Sequence, residues 1–184
     1  MKAVVMLLSA VIFSGSLGAA TGVPVANTVT PDPNPPQKTK NWTPPPKKIY
    51  AQALSDDIMT AHPELISVTF HGAPPGQHDT YTMFAGSYPH RIGNPDDPDD
   101  IDVITKGITI VDPRWHRVND TQKKFVVQLP LRDATGDNIG LLVLAYKNEA
   151  GGKTEKDFYL GAVDLRDGLQ KRIPTYVKLY KPAK

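Results

Sequence analysis

The amino-acid sequence predicts an α+β domain, in which helices pack on a mostly antiparallel sheet. Three observations predict this class. An apolar pattern of helical period precedes two alternating segments, a tight turn joins two longer apolar segments, and a second helical pattern follows them. The chain has 184 residues, which is enough for one such domain with an N-terminal extension.

The N-terminal extension begins with residues typical of an export signal. Lys2 is positively charged, residues 3–13 are uncharged and mostly apolar, and positions 18–20 carry only small residues. We expect residues 1–20 to be a signal peptide cleaved near Ala20, and the mature protein to be periplasmic or secreted. The apolar run is well short of the ~20 residues that cross a bilayer, so no direct membrane span is expected.

Residues 21–46 are predicted to form a proline-rich disordered linker. Eight of the 18 prolines lie between positions 21 and 48, and Trp42 is among the few large apolar residues there. Such a segment buries too little apolar surface to offset its ordering entropy. The folded domain is therefore expected to cover residues 47–184.

Composition excludes several kinds of function. Lys and Arg total 21 against 19 Asp and Glu, and the resulting net charge of +2 is too small to draw the chain onto nucleic acid. The absence of Cys excludes disulfides, thiolate nucleophiles, Cys-ligated zinc and iron–sulfur clusters. We expect no nucleic-acid partner and assign no cofactor.

The first half of the domain contains a helix and a pair of strands. Apolar residues recur at helical spacing over residues 50–61, and Pro63 ends the pattern. Residues 65–71 alternate between apolar and polar, and residues 80–87 follow a turn rich in Pro and Gly. This arrangement predicts two antiparallel strands.

A short helix is predicted next, where five Asp residues lie between positions 96 and 102. Asp97 suits the N-cap, Pro98 suits the first helical position, and Gly107 ends the helix. Because capping and the helix dipole account for the acids, we assign no metal to them. Calcium, or a metal held by scattered histidines, stays an alternative.

The second half of the domain contains the longest strands. Residues 108–111 predict a short strand, and residues 124–132 predict a strand with one apolar face. Residues 139–146 are apolar on both faces, which predicts a central strand. Residues 133–138, with Gly136, form the turn between these two strands.

The domain closes with a predicted helix and a short strand. Thr154 and Asp157 match a capping box, a stripe of apolar residues follows them, and the helix ends before Pro174. Residues 176–180 predict a short edge strand.

The segment 130–144, PLRDATGDNIGLLVL, resembles the terminal hairpin of extracytoplasmic PAS-like sensor domains of the Cache type. The leading helix, the first two strands and a loop with Arg91 ahead of the acid-rich helix follow the order of elements in that family. The resemblance covers about residues 47–174. It implies an antiparallel sheet of five or six strands, a long N-terminal helix, a C-terminal helix, and a small ligand held between the sheet and the loops.

Sensors of this family usually sit between two membrane helices and pass a signal to a cytoplasmic output module. This sequence shows neither a second membrane helix nor an output module. We therefore expect a sensor of this kind to act through a membrane-bound signalling partner.

The loop over residues 87–117 carries the side chains expected to bind the ligand. An Arg side chain can donate two hydrogen bonds to a ligand carboxylate, and an Asp can accept from a ligand amine or hydroxyl. An aromatic ring can pack on an apolar or cationic part of the ligand. We predict five ligand-binding residues in this loop and three on the sheet: Tyr88, Arg91, Asp112, Arg114 and Trp115, with His71, Tyr81 and Tyr146.

The function predicted from the sequence is reversible binding of a small anionic or zwitterionic metabolite, without catalysis. One alternative is a periplasmic protein-interaction module that docks a membrane partner. The other is a small hydrolase or redox enzyme, for which the sequence offers no nucleophile elbow.

Overall fold

The computed structural model describes residues 38–113, 123–148 and 152–183. The predicted signal peptide and residues 21–37 of the predicted linker lie outside these ranges and stay predictions. The elements, in chain order, are α1 (Tyr50–Ala61), β1 (Leu65–Gly72), β2 (Thr82–Gly86), a 3-10 turn (Pro89–Arg91), α2 (Pro98–Lys106), β3 (Ile110–Val111), β4 (Lys124–Arg132), β5 (Asn138–Lys147), α3 (Glu155–Gln170) and α4 (Tyr176–Leu179).

The strands form one five-stranded antiparallel sheet in the order β2-β1-β5-β4-β3. The α+β class predicted from the sequence is therefore confirmed. β5 is the central strand, as its apolar residues on both faces predicted, and Leu144 pairs with Val68 on one side and Val127 on the other. The turn that joins β4 to β5 lies where the sequence placed it.

One face of the sheet carries the hydrophobic core. Alternate residues of β4 point into it, as predicted: Phe125, Val127, Leu129 and Leu131. Helices α1, α3 and α4 cover this face with buried side chains that include Leu54, Phe158 and Leu179. The predicted capping box at the start of α3 is confirmed, because the side chains of Thr154 and Asp157 each accept from the other residue's backbone N–H.

The opposite face of the sheet is partly polar and is covered by α2. Strand alternation places Ser67, Thr69 and His71 of β1 on this face, where Gln128 of β4 joins them. All four side chains are buried. A buried polar layer of this kind is the part of the fold that positions the candidate site.

The folded part of the chain begins earlier than predicted. Residues 38–46, which we expected to be linker, pack on the domain. Trp42 is 9% exposed and its ring lies edge-on to Tyr180, 6.2 Å between centroids. The backbone N–H of Asn41 donates to the carbonyl of Gly93 at 2.9 Å. The buried Trp42 ring and this backbone hydrogen bond hold the segment on the domain in spite of its prolines.

The predicted edge strand at residues 176–180 is wrong. The chain forms α4 there, and this turn of helix places Leu179 in the core with no exposed surface. The alternating pattern of a short segment did not distinguish the two structures. Among the described residues, no helix has the length and apolar character needed to cross a bilayer.

Candidate functional site

A small polar cavity of about 130 Å³ lies on the polar face of the sheet, between α2 and strands β1, β4 and β5. Side chains from all these elements and from the 3-10 turn line it. Its volume is below the ~300 Å³ at which pockets for drug-sized ligands begin. The cavity therefore suits a ligand with few non-hydrogen atoms.

His71 on β1 is the centre of the buried side-chain network beside this cavity. Its Nδ1 atom lies 2.7 Å from Oδ1 of Asp96 and 3.8 Å from Oδ2 of Asp100. Its Nε2 atom lies 2.8 Å from Oγ1 of Thr69. The side chains of Thr69 and His71 lie next to each other because residues two apart on a strand point to the same side of the sheet.

The protonation of this network follows from burial and from the neighbouring carboxylates. Burial alone would lower the pKa of His71, but the charges of Asp96 and Asp100 and the hydrogen bond to Asp96 outweigh it, so the pKa is raised. The imidazolium form is therefore favoured, and its Nδ1–H donates to Asp96. Burial also raises the pKa of Asp100.

The start of α2 connects the acids to the sheet. Asp97 is the N-cap, Pro98 begins the helix and Gly107 ends it, as predicted. The Asp100 carboxylate accepts from the backbone N–H of Asp97 at 3.2 Å. Nε2 of Gln128 donates to Asp100 at 3.1 Å and to Asp99 at 3.0 Å. Capping is therefore only part of what these acids do.

Three buried oxygen atoms beside the cavity have no hydrogen-bond partner among the described residues. They are Oδ2 of Asp96, Oδ1 of Asp99 and Oε1 of Gln128. Each unpaired buried polar group costs about 1–3 kcal/mol. Such atoms are the places where a ligand, an ion or an ordered water is expected.

Arg91 supplies a positive charge to the lining of the cavity. Its guanidinium lies 5.5 Å from the centroid of the Tyr88 ring, which is within cation–π distance. The guanidinium group makes no hydrogen bond or ion pair with any residue that the structure describes. Arg91 is exposed, so this charge is available to a ligand.

Three of the predicted site residues line the cavity together: His71, Tyr88 and Arg91. Two others do not. Tyr146 lies on the opposite face of the sheet, where its ring packs 5.5 Å from Phe158 in the core. The alternation along β5 explains this, because Ala145 occupies the cavity face.

Tyr81 also lies outside the cavity lining, and its backbone carbonyl accepts from Asn41 and Asp96. Asp112 lies next to Pro113, which does line the cavity. The Asp112 carboxylate accepts from the backbone N–H of Val126 at 3.4 Å. The remaining predicted residues, Arg114 and Trp115, lie outside the described residues.

The sequence prediction missed several residues of the network: Thr69, Asp96, Asp99, Asp100 and Gln128. Two signals were present. Gln128 is a polar residue inside an otherwise apolar strand, and Thr69 shares a strand face with His71. Helix capping, with calcium as the alternative, accounts for the acids in the sequence, and neither explanation predicts the contact of Asp96 with His71, 25 residues away.

The solved structures that resemble this chain include a reductase and a sensor domain. A type II free methionine-R-sulfoxide reductase from Thermoplasma acidophilum is 16% identical, with a TM-score of 0.45, over 72% of this chain and 93% of that one. The GAF domain of a two-component sensor histidine kinase from Bacillus halodurans is 11% identical, with a TM-score of 0.45, over 67% of this chain and 92% of that one.

No protein-family model and no curated protein matches the chain. At the identities and scores of the two structural likenesses, neither carries a family, a ligand or an activity over to this chain.

Proposed function

We propose that this chain is an exported, non-catalytic binding domain of the PAS-like sensor type, and that it takes a small zwitterionic ligand in the cavity beside α2. One observation carries the proposal. The cavity is lined by a cation without a polar partner among the described residues, Arg91, and by a carboxylate with an unpaired buried oxygen, Asp99. A ligand with one charge of each sign satisfies both groups.

The two charged groups define two ends of the ligand. The guanidinium of Arg91 offers a fork of N–H donors that matches a carboxylate, and the Tyr88 ring beneath it restrains its position. The Oδ1 atom of Asp99 accepts from an ammonium group. The cavity of about 130 Å³ limits the ligand to the size of a small amino acid.

A second candidate, a hydrolase, is favoured by the hydrogen-bonded series Thr69–His71–Asp96. A hydroxyl, an imidazole and a carboxylate at 2.8 and 2.7 Å have the arrangement of a nucleophile, a base and its orienting acid. A general base must be neutral, however, and the raised pKa of His71 favours the protonated form. Thr69 is also only 7% exposed. The arrangement therefore favours binding over hydrolysis.

Calorimetric titration and thermal denaturation of the purified protein test the binding proposal. The ligand panel contains small amino acids, the same carboxylates without the amine, and the same amines without the carboxylate. We expect saturable binding and a raised melting temperature with amino acids alone. Absence of binding by every amino acid, or equal binding of the matched carboxylates, contradicts the proposal.

Two pairs of variants locate the ligand. Arg91→Gln and Asp99→Asn each remove one charge-assisted contact, and each should weaken binding by about 10- to 100-fold. Arg166→Gln and Asp102→Asn are the matched controls, because Arg166 pairs with Asp167 and Asp102 pairs with Lys106. Binding that persists unchanged in Arg91→Gln contradicts the assigned site.

The hydrolase candidate has its own test. The protein should hydrolyse p-nitrophenyl acetate no faster than Thr69→Val does. A fluorophosphonate probe should label it no more than it labels that variant. Turnover lost in Thr69→Val, with the fold retained, would favour the hydrolase.

Export and a membrane-bound signalling partner complete the proposal. Lys2 and the apolar residues 3–13 support export. N-terminal sequencing of the mature protein should begin at Thr21, and cell fractionation should place it outside the cytoplasm. A mature chain that starts at Met1 contradicts this part of the proposal.

A further inference from the structure

We propose that a divalent transition-metal ion binds beneath the cavity, held by Nδ1 of His71 and by the carboxylates of Asp96 and Asp100. This site is separate from the zwitterion contacts at Arg91 and Asp99, and it does not depend on the proposed function.

The three side chains already bring their donor atoms together. One donor atom from each lies within 4.8 Å of the other two. The closest pair, Nδ1 of His71 and Oδ1 of Asp96, is 2.7 Å apart, and Oδ2 of Asp100 lies 3.8 Å from the same nitrogen. An ion about 2.1 Å from each donor places neighbouring donors about 3.0–3.5 Å apart. Side-chain movements of less than about 1 Å therefore complete the coordination.

Hydrogen bonds around the donors hold them in the orientation that a metal needs. Nε2 of His71 lies 2.8 Å from Oγ1 of Thr69. When a metal ion displaces the proton on Nδ1, Nε2 keeps its own proton and donates it to Thr69, so Nδ1 is the coordinating nitrogen. Gln128 and the backbone N–H of Asp97 hold the two oxygens of Asp100 at 3.1 and 3.2 Å. Partners of this kind fix the ring and carboxylate geometry in metal sites.

Buried oxygens without partners give the second, independent indication of an ion. The side chain of Asp96 has no exposed surface, and its Oδ2 atom has no hydrogen-bond partner among the described residues. Gln128, which is not an acid and is 4% exposed, has an unpaired Oε1 atom.

The donor set favours a particular class of metal. One imidazole nitrogen with two carboxylates suits Zn²⁺ or Mn²⁺, whereas Mg²⁺ and Ca²⁺ prefer ligand sets made of oxygen. The cavity beside His71 provides an entry path and room for water as a further ligand.

Metal titration of the full mature chain tests the site. The protein is stripped with EDTA, dialysed, and titrated with Zn²⁺ or Mn²⁺ in a calorimeter. We expect one equivalent to bind, and the melting temperature to rise by roughly 5–10 °C when free metal exceeds the Kd about 100-fold. Mg²⁺ and Ca²⁺ should bind at least about 10-fold more weakly. Absence of heat and of any thermal shift with both Zn²⁺ and Mn²⁺ overturns the proposal.

Variants distinguish this site from adventitious binding. Asp96→Asn and Asp100→Asn should each weaken metal binding about 100-fold, while Asp102→Asn should leave it unchanged. Asp102 lies on α2, as Asp100 does, but it is paired with Lys106 at 2.7 Å. Unchanged metal affinity in Asp96→Asn, with a native far-UV circular dichroism spectrum, overturns the proposal.

A measurement on the unmodified protein covers the case in which a variant does not fold. Crystals grown with Zn²⁺ should show an anomalous peak within about 2.3 Å of Nδ1 of His71. A peak only at a surface histidine such as His78 overturns the proposal. The zwitterion titrations are repeated in EDTA, so failure of ligand binding and failure of metal binding are observed separately.

Discussion

Nδ1 of His71 lies 2.7 Å from Oδ1 of Asp96, although the two residues are 25 positions apart in the chain. The pair joins β1 to the loop that leads into α2, and both side chains are almost fully buried. A buried ion pair fixes the position of its two segments, because separating the charges leaves each of them without a partner. The cavity wall therefore depends on this contact.

Asp96→Ala should destabilise the protein by about 3–5 kcal/mol, because it removes the hydrogen-bonded carboxylate partner of the buried His71 ring. The double variant His71→Leu with Asp96→Ala removes both charges and should recover part of the loss. Urea denaturation at pH 7 in EDTA measures the free energy of unfolding of the parent, of the single variants Asp96→Ala and His71→Leu, and of the double variant.

Asp102→Ala is the control for this prediction. Its side chain is 46% exposed, so the free energy of unfolding should change by less than about 0.5 kcal/mol. If the double variant loses as much free energy of unfolding as the two single variants lose together, the two side chains are not coupled.

Gly140→Ala should destabilise the sheet next to the site. A Cβ atom at this position overlaps the backbone carbonyl oxygen of His71, so β1 and β5 must separate locally. We expect a loss of about 2 kcal/mol or more, measured by urea denaturation. Ligand affinity should fall as well, because His71 lines the cavity.

Gly161→Ala provides the matched control. Gly161 lies in α3, and a Cβ atom there meets nothing within 4 Å. Alanine favours a helix by about 1 kcal/mol over glycine, so this variant should be more stable than the parent. Equal losses in the two glycine variants would show that the close approach at Gly140 is not the cause.

The central strand could be predicted because its evidence is local. Residues 139–146 carry no charged side chain, and both sets of alternate positions are apolar. A strand with this pattern must be covered on both of its faces. The turn before it contains Gly136, whose positive φ of 93° is a conformation that glycine adopts readily. Neither inference needs to know which strands are neighbours.

The candidate site could not be predicted in the same way, because it depends on contacts across the sheet. Gln128 meets Asp100 only because β4 lies under α2, and 28 residues separate the two in the chain. The capping explanation for Asp97 was correct and sufficient in the sequence, so nothing required a partner for Asp96. Tyr146 was assigned to the cavity because strand alternation gives two faces without saying which one is open.

Trp42→Ala should release residues 38–46 from the domain. The indole is 9% exposed and packs against Tyr180 in the core, so its removal should cost about 3 kcal/mol. Limited trypsin digestion should cut faster after Lys38 and Lys40. Lys47→Ala, at an exposed position, is the control and should leave both stability and cleavage at these sites unchanged.

Gly93→Ala should also disturb the packing of residues 38–46, because a Cβ atom at position 93 overlaps the carbonyl oxygen of Trp42. It should increase cleavage after Lys40 without altering the indole. If both variants resist trypsin as well as the parent does, residues 38–46 do not depend on this contact.

Asp133 in the turn between β4 and β5 should make stability depend on pH. Its Oδ1 atom accepts from the Thr135 hydroxyl at 2.6 Å and from the backbone N–H groups of Thr135 and Asp137 at 2.9 and 3.3 Å. The hydrogen bond from the Thr135 hydroxyl, together with the backbone donors, holds the pKa of Asp133 below its ordinary value. The charged form therefore stabilises the fold above the unfolded pKa, and this stabilisation is lost as pH falls through the folded pKa.

Asp133→Asn should reduce the free energy of unfolding by about 1 kcal/mol at pH 7. The difference from the parent should shrink as the pH is lowered below about 4, where the unfolded aspartate begins to protonate. Urea denaturation of both proteins from pH 7 to pH 2.5 measures this. Asp137→Asn is the control, since its backbone N–H still reaches Asp133. A difference between Asp133→Asn and the parent that stays constant across this range would show that the carboxylate charge does not stabilise the turn.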